Sequence, residues 1–287
     1  MARVRLSADL VADVVRRIIP RIACEQRPDI LAALRRARSA EQPGSRACEV
    51  LDELLENADV ARADRVPLCQ DTGSVWVLLR VGTRETVPGD VFSGVDAAVA
   101  EAYVSRHLRK SLLADAFSDR INTQDNTPAF CDLEFFEGEG ATLSVMLKGG
   151  GSDNASRVVM LPPGAGHEGI ERVVLDAVRE KASSACPPLL VGVGVGSTFD
   201  HVGGLAKRAL LREVGERNPE PQAAAFELRL LSAINATGIG PGALGGATTA
   251  LDVHVQTAPC HIAALPVAVN MGCVATRTAT IDLLGSD

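Results

Sequence analysis

One heptapeptide, P-L-C-Q-D-T-G at residues 67 to 73, constrains this chain more than any other stretch. It sets a soft ligand, an amide and a carboxylate on three consecutive residues, Cys69, Gln70 and Asp71. Thr72 and Gly73 then turn the chain into an apolar strand over residues 75–81. That order predicts a site on a loop at the edge of a sheet. Read alone, the same residues also describe a buried thiol beside a turn-capping Asp.

The surrounding periodicity supplies the frame. Residues 7–23 read as a helix capped by Ser7, with Val11, Val14, Val15, Ile18 and Ile22 on one face. Pro20 conflicts with it and predicts a kink or an early end. Helices over 29–40 and 45–58 follow, so the first 60 residues read as a helical lobe. Ser93-Gly94-Val95-Asp96 is a capping box that predicts a long helix to about residue 113. Its second half carries Arg106, His107, Arg109 and Lys110. Strands over 129–137 and 141–148, around Gly138-Glu139-Gly140, predict a hairpin. The second strand runs into Lys148-Gly149-Gly150-Gly151-Ser152, whose glycines permit close backbone approach and N–H groups aimed at an anion. A helix over 167–184, a strand over 189–195, helices over 200–214 and 221–235, and strands over 251–256 and 276–283 complete the pattern. The fold class is therefore α/β (mixed α+β), an N-terminal helical lobe followed by a mixed sheet flanked by helices. A length of 287 residues makes one large domain the default. With aromatics at 3% and 26 glycines, the core is built from Val, Leu, Ile and Ala.

Several function classes fall away. The balance is acidic, 29 basic against 36 acidic residues, with no basic run, which argues against a nucleic-acid partner. A small anionic substrate needs only a few local cations and stays open. Residues 1–20 mix Arg and Asp through the apolar positions, so no signal peptide is expected. No apolar run of spanning length occurs, so no membrane span is expected. Seven cysteines without a secretion signal point to reduced thiols and a cytoplasmic location. No C-x2-C pair offers zinc spacing. The Gly192-x-Gly194-x-Gly196 run fails the dinucleotide fingerprint, because Ser197 and Phe199 stand where its third Gly would fall. Cys69, Cys186 and Cys273 each sit in a loop beside Pro or Gly. Three thiolates suit a soft metal or an iron–sulfur cluster and leave one metal position open.

Five motifs in order carry a resemblance: P-L-C-Q-D-T-G, K-G-G-G-S at 148–152, A-C-P-P at 185–188, G-I-G-P at 238–241 and the segment P-V-A-V ending at Cys273. Together they resemble the class I (iron–sulfur) fumarate hydratase and L(+)-tartrate dehydratase family, and more narrowly the α subunit of its two-subunit members. The resemblance implies one Fe-S hydro-lyase α-type domain over 1–287, with 1–60 its helical lobe. It implies a [4Fe-4S] cluster with one open iron, held by Cys69, Cys186 and Cys273. Gln70, a helix-borne Arg109 and Gly150 or Gly151 fall on substrate-binding positions, and Asp71 and His261 on candidate acid/base positions. Cys24, Cys48, Cys131 and Cys260 match no ligand motif. The chain departs from the family at His261-Ile262-Ala263-Ala264, at Val274-Ala275-Thr276-Arg277-Thr278 and at Gln124.

The implied partner is a β subunit carrying the C-terminal fumarase-type domain, in an α2β2 assembly. The implied reaction is reversible hydration of a C4 dicarboxylate, fumarate to L-malate. The alternatives are an L(+)-tartrate dehydratase α subunit, giving oxaloacetate, and a non-catalytic iron–sulfur protein.

Overall fold

In a computed structural model, which describes residues 5–285, the first helix begins where Ser7 caps it. The Ser7 hydroxyl accepts from the Leu10 N–H at 3.2 Å, a cap worth about 1 kcal/mol. This helix, α1 (Ala8–Cys24), runs through Pro20 rather than ending there. An interior proline costs roughly 3 kcal/mol. Ile18, Ile19 and Ile22 on either side are buried, at roughly 1.5–3 kcal/mol each, and that burial wins. The helices α2 (Pro28–Ala40) and α3 (Arg46–Asp64) follow.

The chain divides into two compact units. The first takes the residues up to Gln26, Val60–Gly150 and the residues from Arg277; the second takes Arg27–Asp59 and Gly151–Thr276. The N-terminal helices are thus shared out, α1 to the first unit and α2 to the second.

The first unit holds a four-stranded sheet formed by β1 (Ser74–Gly82), β2 (Phe130–Phe136), β3 (Ala141–Lys148) and β8 (Arg277–Asp282), in the order β2-β1-β3-β8. The expected hairpin does not form. The strand β1 lies between β2 and β3, parallel to the first and antiparallel to the second. The reason lies in their faces: β1 is buried along nearly its whole length, whereas β2 exposes Phe130, Leu133 and Phe135 and suits an edge. Against β1 and β3 pack α1 and α4 (Val95–Ser105), with Val14, Val15, Ile19, Val99 and Tyr103 in one core. The helix α4 stops well short of residue 113. His107 takes a left-handed φ of 53°, Leu108 donates to the Tyr103 carbonyl at 3.0 Å, and the Leu108 side chain is buried. That is a Schellman ending with a histidine in the glycine position. Nor does Asp96 close a capping box; its carboxylate accepts from the Ala129 N–H at 2.8 Å.

The short helix α5 (Gly150–Asn154) follows β3, and the second unit holds a second sheet. Its strands are β4 (Arg157–Leu161), β5 (Leu189–Ser197), β6 (Ala250–Cys260) and β7 (Leu265–Gly272), in the order β4-β7-β5-β6. β5 is parallel to β6 and antiparallel to β7, and β7 is antiparallel to β4. The helices α6 (Gly166–Lys181) and α8 (Pro221–Asn235) bury Ile170, Val174, Val178, Leu230 and Ile234 against it. The helix α7 (Val202–Ala209) also packs on this sheet, burying Val202 and Ala206 against Ala268 of β7. Here the glycine run finds its use: a Cβ on Gly192 would stand 2.1 Å from the Ala206 carbonyl oxygen, and one on Gly194 2.5 Å from that of Val202. The glycines admit a helix, not a dinucleotide. Among the described residues no helix is long and apolar enough to cross a membrane.

Candidate active site

The C-Q-D-T-G loop joins the end of α3 to β1, and the first unit grips it from several sides. Its entry is pinned by the Leu68 N–H on the Ala23 carbonyl at 2.8 Å. Asp71 makes an Asx turn, with Oδ1 accepting from the Gly73 N–H at 3.0 Å and from the Ser111 hydroxyl at 3.3 Å. Its Oδ2 accepts from the Gly150 N–H at 2.8 Å. So the anion met by the glycine loop, within this unit, is the Asp71 carboxylate. The Asp71 carbonyl accepts from Nη1 of Arg277 at 2.7 Å. Thr72 is buried, and its Oγ1 accepts from the Arg109 N–H at 3.2 Å. Two donors converge on the Gly73 carbonyl, the Tyr103 hydroxyl at 2.9 Å and Nδ2 of Asn126 at 3.0 Å. Gly73 has φ 86°, and a Cβ there would lie 2.4 Å from the Lys148 carbonyl oxygen, so the turn requires glycine.

The expected site residues of this unit are therefore brought together. Cys69 is half-buried, and its Sγ lies 3.4 Å from Oε1 of Gln70, which is exposed. Arg109 is tied to the loop through Thr72, but it is borne on the coil after α4 and not on a helix. Its guanidinium is exposed. Sequence reasoning missed Tyr103, Ser111 and Asn126, and treated Arg277 only as a departure. Tyr103 and Asn126 are fully buried, and burial pushes the Tyr103 hydroxyl above its ordinary range, which keeps it a donor.

In the second unit, Cys186 leaves a 3₁₀ turn (Ala182–Ala185) with a left-handed φ of 55° and leads through Pro187-Pro188 into β5. Its carbonyl accepts from the Val274 N–H at 3.1 Å, which joins the Cys186 and Cys273 loops directly. The β5–β7 register, with Leu190 opposite Gly272, puts both cysteines at the same end of the sheet. The Pro187 carbonyl accepts from the Gly242 N–H at 2.9 Å, so the G-I-G-P segment braces the same end. Gly151 is bare for a similar reason: a Cβ would sit 2.7 Å from the Ser184 carbonyl oxygen, just ahead of Cys186.

His261 is not with them. It lies in the exposed turn between β6 and β7, beside Cys260, which pairs with Ser197 at the far end of β5. Eight residues of strand at about 3.3 Å each set it roughly 26 Å from the Cys186 end. The geometry removes it from the immediate surroundings of Cys186 and Cys273 in its own chain.

None of the seven cysteines is in a disulfide. Burial pushes the Cys131 thiol up to about 12, and burial likewise raises Cys24, so neither is a thiolate near neutral pH. Cys69, Cys186 and Cys273 are half-buried or exposed, and each lies in a loop. Among the described residues no three His, Cys, Asp or Glu side chains stand together in ion-binding geometry. The chemistry of the donor set, three accessible thiols with none in a disulfide, fits a three-thiolate cluster.

Known proteins share this pattern along nearly the whole chain. A family model described as fumarate hydratase (Fumerase) matches residues 12–282. A Methanocaldococcus jannaschii protein provisionally named L(+)-tartrate dehydratase subunit alpha is 35% identical over 277 residues, covering 94% of this chain and 96% of that protein. The L(+)-tartrate dehydratase subunits alpha of Escherichia coli strain UTI89 and of Shigella sonnei are each 32% identical over 275 residues, 94% of this chain and 90% of theirs. The chain belongs to the class I fumarate hydratase and tartrate dehydratase family of iron–sulfur hydro-lyases.

Proposed function

We propose that this hydro-lyase is the α-type catalytic subunit, one functional domain over its length, of an enzyme that adds water to or removes it from a C4 dicarboxylate. Its cofactor is a [4Fe-4S] cluster held by Cys69, Cys186 and Cys273. One observation carries the reading: hydrogen bonds from Arg109 and Gly150 meet the loop that bears Cys69, Gln70 and Asp71. When bound, the cluster supplies a Lewis-acidic iron with an open position.

The chain's own groups do the rest. The exposed Arg109 guanidinium takes a substrate carboxylate in bidentate fashion, and the Gln70 amide orients the substrate hydroxyl. Asp71 is the acid/base group. Its Oδ1 is fixed by two donors, whereas Oδ2 has the single Gly150 N–H, from an exposed residue, and is the oxygen free to take or return a proton. Gly151 serves close packing ahead of Cys186. A β-type partner subunit, suggested by the relatives' names, contributes the remaining cations for the second carboxylate.

Fumarate with L-malate is the first substrate pair, following the family's description. L(+)-tartrate is the second, favoured by the names of the relatives. The deciding experiment is iron and sulfide content of the chain purified without oxygen, beside Cys69→Ser, Cys186→Ser and Cys273→Ser, followed by assays of both substrates with the partner subunit. About four irons per chain, lost in each variant, support the reading. Iron-free wild type, or variants that keep their iron, sink it. Turnover of tartrate but not fumarate selects the second substrate.

A further inference from the structure

Arg277, the first residue of β8, is 1% exposed, and it makes no ion pair among the described residues. Its Nη1 donates to the Asp71 carbonyl at 2.7 Å. Its Nε and Nη2 are buried and have no hydrogen-bond partner among the described residues. One carbonyl does not compensate a buried guanidinium. Leaving such a charge unpaired is among the more costly things a fold can do, and orphaned buried donors commonly mark the place of a missing ion or ligand. Two buried carboxylates of the second unit show the contrast: Glu227 is met by Arg212 and Asp252 by Arg217.

The loop that Arg277 grips carries Cys69, two residues from the carbonyl it holds. We propose that Arg277 is the charge-compensating and positioning residue of the C-Q-D loop, and that its anion is the thiolate-held cluster borne there. This rests on the iron–sulfur reading above. Arg277 does not touch substrate; it fixes the Asp71 peptide and sets the electrostatic potential at the Cys69 side of the cofactor. The cofactor-free chain then carries an uncompensated buried charge, and loading the cluster removes that penalty.

The test compares the full chain with and without cluster, as wild type, Arg277→Met and Arg277→Lys. In the cluster-free state Arg277→Met is expected to melt higher than wild type, because the unpaired charge is gone. In the loaded state it is expected to melt lower, and its cluster midpoint potential, read by EPR-monitored titration, moves negative. Arg277→Lys retains the cation and keeps the potential close to wild type. If Arg277→Met lowers the melting temperature equally in both states, or folds in neither, Arg277 is only a strut for the Asp71 carbonyl and the proposal fails. An unchanged potential in Arg277→Met also overturns it. Wild type that binds no iron is the failure of the iron–sulfur reading instead. The cluster-free comparison then still reports whether Arg277 lacks a counter-ion.

Discussion

The loops carrying Cys69 and Cys186 both run directly into a strand bonded on its two sides, β1 in one unit and β5 in the other, yet they are secured differently. The Cys69 loop is held by side chains. Tyr103, Ser111, Asn126 and Arg277 reach it from three other segments. The Cys186 loop is held by backbone: a left-handed residue, two prolines, and main-chain bonds to Gly242 and Val274. A side-chain clamp places chemistry finely and is vulnerable to single substitutions. A backbone clamp tolerates change in its side chains but not in its glycines. The difference teaches that two cysteines of similar sequence context can have unlike mutational profiles.

The largest effect that would sharpen this contrast falls on Asp71. Asp71→Asn puts an amide donor or a single oxygen where two oxygens meet three donors. Turnover is expected to fall by roughly 10²–10⁴-fold while iron content holds. Near-normal turnover would take Asp71 out of the mechanism. Next is Asn126→Ala, which orphans the half-buried Ser111 N–H and removes one of two donors from the buried Gly73 carbonyl. A loss of about 1–3 kcal/mol in urea unfolding is expected, exceeding that of Tyr103→Phe, which leaves Asn126 on the same carbonyl. Equal effects would contradict the clamp as drawn.

Acid is expected to act on the second unit through two partly buried carboxyls. In the second unit burial pushes the Asp252 carboxyl up, but His254 at 3.3 Å and hydrogen bonds from Arg217 and the Gly215 N–H outweigh it and hold it well below the usual carboxylate range. Asp29 is lowered in the same way, against burial, chiefly by Arg27. A carboxyl depressed on folding gives its full stabilisation above the unfolded value of about 3.9 and loses it as pH falls through the folded value. Circular dichroism should therefore show no cost from these two groups between pH 7 and about 5, and loosening of the second unit well below that. The smallest effect concerns the backbone clamp itself. Cys186→Gly relieves a left-handed residue at about 1–2 kcal/mol and so offsets the roughly 0.5–1 kcal/mol of chain entropy that glycine costs. Cys69→Gly has no such relief. In the cluster-free chain Cys186→Gly should melt at or slightly above wild type and Cys69→Gly below it; the reverse order would deny the contrast.

Much of this was legible in the sequence, and what was not has a common cause. Periodicity found α1, α2, α6, α8 and the central strands, because burial on one face dictates it. The five motifs single out Cys69, Cys186, Cys273, Gln70 and Asp71, the residues on which the proposed site rests. The hairpin expectation failed because the pairing of β2 and β3 depends on where β1 inserts, which no local signal carries. The helix expected to reach residue 113 failed because His107 takes a conformation normally given to glycine. β4 and β7 were missed; the first is short, with alternating exposure, and the second has a proline at its second residue. The roles of Tyr103, Asn126 and Arg277 at the loop were not readable because each meets it from 30 to 206 residues away. Their one readable trait was being polar among apolar or turn-forming neighbours.

The placement of the cysteine loops against β1 and β5 also predicts a pattern in deuterium uptake. Each of these strands spends its amides on neighbours to both sides, so they should exchange only when their unit opens as a whole. Each cysteine loop is then fastened at one end to the slowest-exchanging segment of its unit. Protection should decay over a few residues from Ser74 back towards Cys69, and from Leu189 back towards Cys186, giving each of these two cysteine loops one fixed end and one that can give way.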